Sequence, residues 1–274
     1  MKIAFVGAGS MAEAIFSGLL NKQICSKHDL YVMNRTSQTR LENLKNIYGI
    51  QTTYHYSQFM QQSDMVILAV KPKNAGEVLE QLQPYITRKT FIVSVMAGIS
   101  IEYMAHKLKT DCAIARVMPN TSASVGKSAT ALAFNAFVSL DQQQLLQTIF
   151  TAIGSTVVVK ENQLDAITGL SGSGPAYFYY IVEAMEKTAE KMGVEKEIAH
   201  QLIIQTLAGA AKMLEESGKE AAELRKHVTS PGGTTEAGLK ILQEREVSQA
   251  VTDCILAAAT QSEKLAALYS QSDQ

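Results

Sequence analysis

Short apolar, β-branched runs alternate with longer amphipathic stretches through the first 160 residues. The runs Lys2–Val6, Leu30–Met33, Met65–Val70, Phe91–Val95, Asp111–Val117 and Ala129–Phe134 read as strands, with Val157–Val159 as a last short one. Met11–Leu20, Thr39–Tyr48 and Ala75–Leu82 read as helices between them. Strands alternating with helices predict βαβ units and a parallel sheet covered on both faces. Ser139 and Gln142 stand at capping-box spacing ahead of Leu145, Leu146 and Ile149, so a further helix begins there.

Beyond residue 160 the pattern changes. Ala, Glu, Lys, Leu, Met and Gln dominate and β-branched runs almost vanish. Ile181, Met185, Thr188 and Met192 recur every three to four residues, as do Ile203, Leu207, Ala210 and Leu214, and both sets read as helix faces. Breaks are expected near Gly193, Gly218 and Pro231–Gly233. The expected organisation is an α/β domain over 1–160 and an all-helical domain over 161–274. Several of these helices are apolar around much of their circumference, which favours packing against a second copy and makes the helical part the seat of a homodimer.

Composition narrows the partners. A net charge of -1, with 46% hydrophobic and 19% charged residues, disfavours nucleic acid or an anionic membrane as the main partner. Cys25, Cys112 and Cys254 form no CxxC pair, and no HxH, HExxH or clustered carboxylate set suggests a metal. With no signal peptide or membrane-length apolar run, the expected location is the cytoplasm.

Gly7-Ala8-Gly9-Ser10-Met11-Ala12 follows the first strand and opens the first helix. This is the GxGxxA fingerprint of a Rossmann-type dinucleotide-binding domain, in the strand–turn–helix context that gives it meaning. Gly7 permits the tight turn, and Gly9 lets backbone N–H groups approach a pyrophosphate. Ser10 and Met11 carry the first turn of the helix, whose N-terminus favours phosphate. The second strand runs into Asn34-Arg35-Thr36-Ser37. An NAD-specific enzyme would place a carboxylate there for the ribose hydroxyls, whereas Arg35 suits a 2′-phosphate, with Asn34 and Thr36 as polar neighbours. The expected cofactor is NADPH, with NADH also accepted. Ala69-Val70-Lys71-Pro72 ends another strand at the ligand-binding edge of the sheet, and Pro72 keeps Lys71 extended.

Three further segments stand out: Val117-Met118-Pro119-Asn120-Thr121 after a strand, Ser171-Gly172-Ser173-Gly174-Pro175-Ala176-Tyr177 before a long helix, and Val228-Thr229-Ser230-Pro231-Gly232-Gly233-Thr234-Thr235 opening another. The last exposes consecutive backbone N–H groups beside two hydroxyls, a receptor for a small carboxylate. With GAGSMAEAI, AVKP, MPNT, LSGSGPAYFYY and VTSPGGTTEAGL, essentially the whole chain resembles the pyrroline-5-carboxylate reductases. The resemblance implies reduction of 1-pyrroline-5-carboxylate to L-proline by hydride transfer, the last step of proline synthesis. It implies that Ser230, Gly232, Gly233 and Thr234 hold the substrate carboxylate and that Thr235 hydrogen-bonds the ring nitrogen. Met118, Pro119 and Asn120 would line the cofactor side of the pocket, and dimers would assemble further into rings. The substrate loop of one copy is expected to complete the crevice of another.

Two positions depart from the family pattern. Ser122 replaces a proline that often follows MPNT, and Tyr56 lies where many members have a nearby Asn. Two alternatives stay open on the residues alone. One is another NADP-dependent two-domain reductase, of a hydroxy acid or phosphogluconate, with Lys187 or Lys191 as its helix lysine. The other is a non-catalytic NADP-binding homologue. Of the five histidines, His227 is nearest the substrate loop, and it reads as structural or solvent-facing.

Overall fold

A computed structural model describes residues 1–271 apart from Thr36 and Phe59. The α/β part runs β1 (Ile3–Val6), α1 (Ser10–Asn21), β2 (Leu30–Met33), α2 (Gln38–Tyr48), β3 (Gln51–Thr53), β4 (Met65–Leu68), α3 (Ala75–Leu82), β5 (Phe91–Ser94), α4 (Ile101–Leu108), β6 (Ala113–Met118), β7 (Ser128–Phe134), α5 (Leu140–Thr151) and β8 (Gly154–Val158). These strands form one sheet in the order β3-β2-β1-β4-β5-β6-β7-β8. Its first six strands have the doubly wound order, with a topological switch between β1 and β4.

The period-two alternation of each strand divides the core. Ile3, Phe5, Met65 and Ile67 point to one face, against Ile15, Phe16 and Leu19 of α1, Leu41 and Leu44 of α2, and Ile149 and Phe150 of α5. Ala4, Val6, Val66 and Leu68 point to the other, against Val78, Leu79 and Leu82 of α3 and Met104 and Leu108 of α4. Both faces are therefore covered, as the continuous apolar runs predict. The expected capping box is present: Gln142 N donates to the Ser139 hydroxyl, and Ser139 N donates to the Gln142 side chain.

The sheet is not wholly parallel, which corrects the sequence expectation. β7 pairs antiparallel with β6, placing Ala115 opposite Phe134. The short connection 119–127 cannot make a crossover, which takes a dozen or more residues, so the chain reverses instead. β3 was not foreseen either, because Gln51-Thr52-Thr53 is a three-residue polar edge strand with no apolar alternation.

The helical part comprises α6 (Leu164–Ile167), α7 (Gly174–Lys191), α8 (Lys196–Glu216), α9 (Ala221–His227), α10 (Thr234–Glu244) and α11 (Val247–Gln271). A π-helical turn, Thr168–Gly172, lies between α6 and α7. The expected breaks near Gly193, Gly218 and Pro231–Gly233 all fall between helices.

The chain forms two compact units. One unit comprises 1–175 with 256–274, and the other 176–255, so the division falls inside α7 and α11. Residues 161–175 pack on the sheet: Leu164 is buried with Ala131 and Ala133. The end of α11 belongs there too, where the Ser262 hydroxyl donates to Asp165 at 2.8 Å.

In the second unit Ala189, Ala199 and Ile203 are buried, with Val182, Val194 and Leu207 packed around them. Of the two apolar faces read from the sequence, only Ile203 and Leu207 join this core. Ile181, Met185, Met192 and Leu214 are exposed. Spacing identified both helices correctly but could not say that the stripe through Ile181 and Met185 of α7 faces outward while Val182 and Ala189 pack inward. Phe178, Tyr179, Tyr180, Leu202 and Met213 are exposed as well. So much uncovered apolar surface on a unit with so small a core is the signature of an interaction surface.

Candidate functional site: a dinucleotide crevice and a glycine-rich helix start

At the carboxyl ends of β1, β2 and β4 lies a crevice of about 490 Å³ whose lining includes Gly7, Gly9, Asn34, Arg35, Ala69, Val70 and Lys71. The switch between β1 and β4 opens it, because the connections from these two strands leave toward opposite faces. Gly7 N donates to the Met33 carbonyl and Ala69 N to the Val6 carbonyl, which clamps the turn between the neighbouring strands. Gly7 has φ of 115°, and a Cβ there would come within 2.4 Å of the Ala69 carbonyl oxygen. Gly9, by contrast, has nothing within 4 Å of where its Cβ would stand. It is the N-cap of α1 and supplies no side-chain acceptor, so the first-turn N–H groups at Ser10 and Met11 gain no cap from it. Unfilled space, uncapped N–H groups and nearby cations together suit a pyrophosphate.

The cations are Arg35, Lys71 and Lys73. Lys71 is extended, at φ -65° and ψ 138°, and Pro72 begins a 3-10 turn over Pro72–Asn74. Arg35 is not an unengaged cation. Its Nη1 donates to both carboxylate oxygens of Glu77 on α3, at 2.6 and 2.5 Å. Tyr56 lines the same crevice, and its phenol is held above its ordinary pKa by burial and then by the Glu77 charge, with Arg35 opposing. Thr36 lies outside the described residues.

Behind the glycine turn, Arg40 of α2 donates from Nε to the Ala8 carbonyl at 2.8 Å and pairs through Nη2 with Glu13 of α1. Glu13 also accepts from the Tyr48 hydroxyl at 3.0 Å. Sequence reading passed over Arg40, Lys73 and Glu77. No local pattern marks them: Arg40 and Glu77 act on residues brought near only by folding, and Lys73 is placed at the crevice by the turn after β4.

Met118, Pro119 and Asn120 are not among the crevice-lining residues. Met118 and Asn120 meet the Ser171–Gly172 turn instead. Asn120 Nδ2 donates to the Ser171 carbonyl at 3.0 Å, and a Cβ on Gly172 would stand 2.9 Å from the Met118 methyl. The Asn120 side-chain oxygen accepts from Ser122 N, while Asn120 N donates to the Ser128 hydroxyl. Ser122 thus supplies an N–H that a proline would lack.

In the second unit, Gly233 is the N-cap of α10 and Gly232 takes a left-handed φ of 72°. Gly232 N donates to the Glu236 carboxylate at 2.8 Å, and Gly233 N to the Ser230 carbonyl at 3.0 Å. Ser230, Thr234 and Thr235 are exposed. His227 sits exposed beside Glu223 and Lys219. Lys187 is an exposed partner of Glu183, the surface pairing that helix spacing gives.

A doubly wound sheet with a glycine-fingerprint crevice, followed by helices opening on a carboxylate-type turn, defines the class: a two-part nicotinamide-dinucleotide oxidoreductase. Comparison with known proteins agrees and sharpens it. Residues 2–98 match the family "NADP oxidoreductase coenzyme F420-dependent", and residues 161–265 match "Pyrroline-5-carboxylate reductase dimerisation". Pyrroline-5-carboxylate reductase 2 of Bacillus subtilis is 45% identical, over 93% of this chain and 91% of that protein. A pyrroline-5-carboxylate reductase structure from Coxiella burnetii superposes with a TM-score of 0.88 at 36% identity, covering 96% of this chain and 98% of that one. One from Plasmodium falciparum, with NADP bound, gives 0.89 at 27% identity, covering 97% and 98%. The chain belongs to the pyrroline-5-carboxylate reductase family.

Among the described residues, no helix is long and apolar enough to cross a membrane. The dimerisation match over 161–265 and the uncovered helix faces agree on self-association through the helical part.

Proposed function

We propose that this chain reduces 1-pyrroline-5-carboxylate to L-proline with NADPH, accepting NADH as well, as the last step of proline synthesis. What carries the reading is the complete Ser230–Thr235 turn, which opens α10 with both threonines exposed to a ligand. Ser230, Gly232, Gly233 and Thr234 hold the substrate carboxylate at the positive end of the helix dipole, the substrate taking the place at Gly232 N that the Glu236 carboxylate fills in its absence. Gly7, Gly9, Ser10 and Met11 hold the cofactor pyrophosphate. Asn34, Arg35 and Thr36 read the adenosine ribose, while Ala69, Val70, Lys71 and Pro72 form the lip of the crevice. Met118, Pro119 and Asn120 form the wall toward the reacting ring. On this reading 1–160 is the NADP-binding domain and 161–274 the substrate-binding and dimerisation domain, a division by function that does not coincide with the compact units.

The bound reduced nicotinamide supplies a hydride. The protein's own task is to orient, because a protonated imine carbon is already electrophilic and needs no dedicated proton donor. Thr235 hydrogen-bonds the ring nitrogen as it becomes an amine, and the carboxylate clamp selects the face that is reduced. The working form is a cytoplasmic homodimer, with a ring of dimers as its higher assembly.

The test follows NADPH absorbance with pyrroline-5-carboxylate for the wild type and Thr235→Ala. Turnover by the wild type that falls about 10²-fold or more in the variant is the expected result. A wild type that binds NADPH without turning over would leave the non-catalytic homologue as the better reading. Light scattering that finds a fully active monomer would overturn the dimer.

A further inference from the structure

We propose that Glu77 sets the balance between the 2′-phosphorylated and unphosphorylated dinucleotides by competing for the Arg35 guanidinium. The inference rests on the cofactor reading above and names a residue to which that reading assigns no part.

Arg35 follows β2, where dinucleotide-binding folds read the adenosine ribose. An NAD enzyme places a carboxylate at this point in the chain, and here the chain has none. Folding nevertheless brings one in. Glu77, on α3 and 42 positions away, takes one guanidinium nitrogen on both of its oxygens at 2.6 and 2.5 Å. Arg35 and Tyr56 line the crevice, whereas Glu77 is not among its lining residues and reaches the site through Arg35.

The two cofactors meet this pair differently. A 2′-phosphate competes with Glu77 for Arg35, whose Nη1 the carboxylate already holds, and it meets the Glu77 charge as a second anion on one cation. An unphosphorylated ribose makes no such demand on the guanidinium. Glu77 therefore disfavours NADPH by holding Arg35, and leaves NADH, which makes no demand on that cation, unaffected. Both partners are largely exposed, with side-chain accessibilities of 61% and 49%. The contest is consequently modest in size and weakened by salt. A modest bias suits an enzyme that uses both cofactors better than an all-or-none selector would.

The test is equilibrium binding by titration calorimetry at low ionic strength, with 2′,5′-ADP and 5′-AMP as separate probes of the two ribose states. Glu77→Gln is expected to bind 2′,5′-ADP about three- to tenfold more tightly, with 5′-AMP unchanged. In an Arg35→Ala background the same substitution is expected to lose most of that gain, keeping only what relief of direct anion repulsion supplies. A Glu77→Gln protein that binds both probes with unchanged discrimination overturns the inference and leaves the cofactor reading standing. So does an equal gain in the Arg35→Ala background, because the effect would then not pass through the pair. A wild type that binds neither probe overturns the cofactor reading and this inference together.

Discussion

Asn120 and Ser171, 51 positions apart, are joined by a hydrogen bond of 3.0 Å from the Asn120 amide to the Ser171 carbonyl. It ties the turn after β6 to the π-helical turn that leads into α7. Two motifs that look unrelated along the chain thus form one wall. Asn120 is 8% exposed, and its side-chain oxygen is engaged by Ser122 N. Asn120→Ala is expected to cost about 1–3 kcal/mol, since the Ser171 carbonyl and the Ser122 N–H both lose a partner. Asn120→Asp is expected to be no better at neutral pH, because it sets a carboxylate against the carbonyl. Urea midpoints for the two variants check this, and a wild-type midpoint for Asn120→Ala contradicts it.

The two fingerprint glycines are expected to fail in different ways. Gly7→Ala combines a left-handed φ with a 2.4 Å approach to backbone, so it lowers both melting temperature and cofactor affinity. Gly9 has φ of -75° and open space at its Cβ position. Gly9→Ala is therefore expected to melt like the wild type while losing NADPH affinity, because the added methyl stands where the pyrophosphate approaches. Thermal melts and fluorescence titration of the two variants separate the effects. Equal affinity in Gly9→Ala and wild type would contradict the assignment of the crevice.

Arg116 on β6 is buried and bonds Glu161 and Asp165, each at 3.3 Å. Glu161 also accepts from Ile101 N at the start of α4, and Asp165 from Ser262 of α11. Arg116→Met would leave two carboxylates without their cation at the junction of sheet and helices. Both carboxylates are partly exposed, which reduces the usual penalty, and the expected loss is about 2–4 kcal/mol by denaturant unfolding. A variant as stable as the wild type would show that the network contributes no net stability.

Cys112 is buried, and its thiol is pushed up to about 11, chiefly by that burial, with Asp111 adding a little and a backbone hydrogen bond opposing. At pH 8 roughly one thiol in 10³ is ionised, and the thiolate is the reactive form. Iodoacetamide is expected to leave Cys112 unmodified in the native protein and to label it on unfolding, as read by mass spectrometry. Native labelling of Cys112 at the rate of an exposed thiol would contradict this placement.

Much of the fold was legible because it follows from local rules. β1, β2 and β5 show as apolar runs, and α5 shows through the Ser139–Gln142 capping box. The glycine turn was legible for the same reason, since its spacing is set by the backbone at a single strand–helix junction. β3 was not, because three polar residues carry no periodic signal. Nor was the reversal at β7, because strand direction depends on where a chain returns and not on its side-chain pattern.

By itself, the sequence determined the strand–helix alternation, the two-part organisation, the glycine crevice and the residue types gathered at each turn. These depend on propensity and periodicity over a few neighbouring residues. Only the tertiary structure decided that Arg35 is held by Glu77, that Arg40 anchors the Ala8 carbonyl, and that Asn120 meets Ser171. These pairs lie 42, 32 and 51 positions apart. Charge and hydrogen bonding act through distance in space, and that distance is set by how sheet and helices pack, not by spacing along the chain.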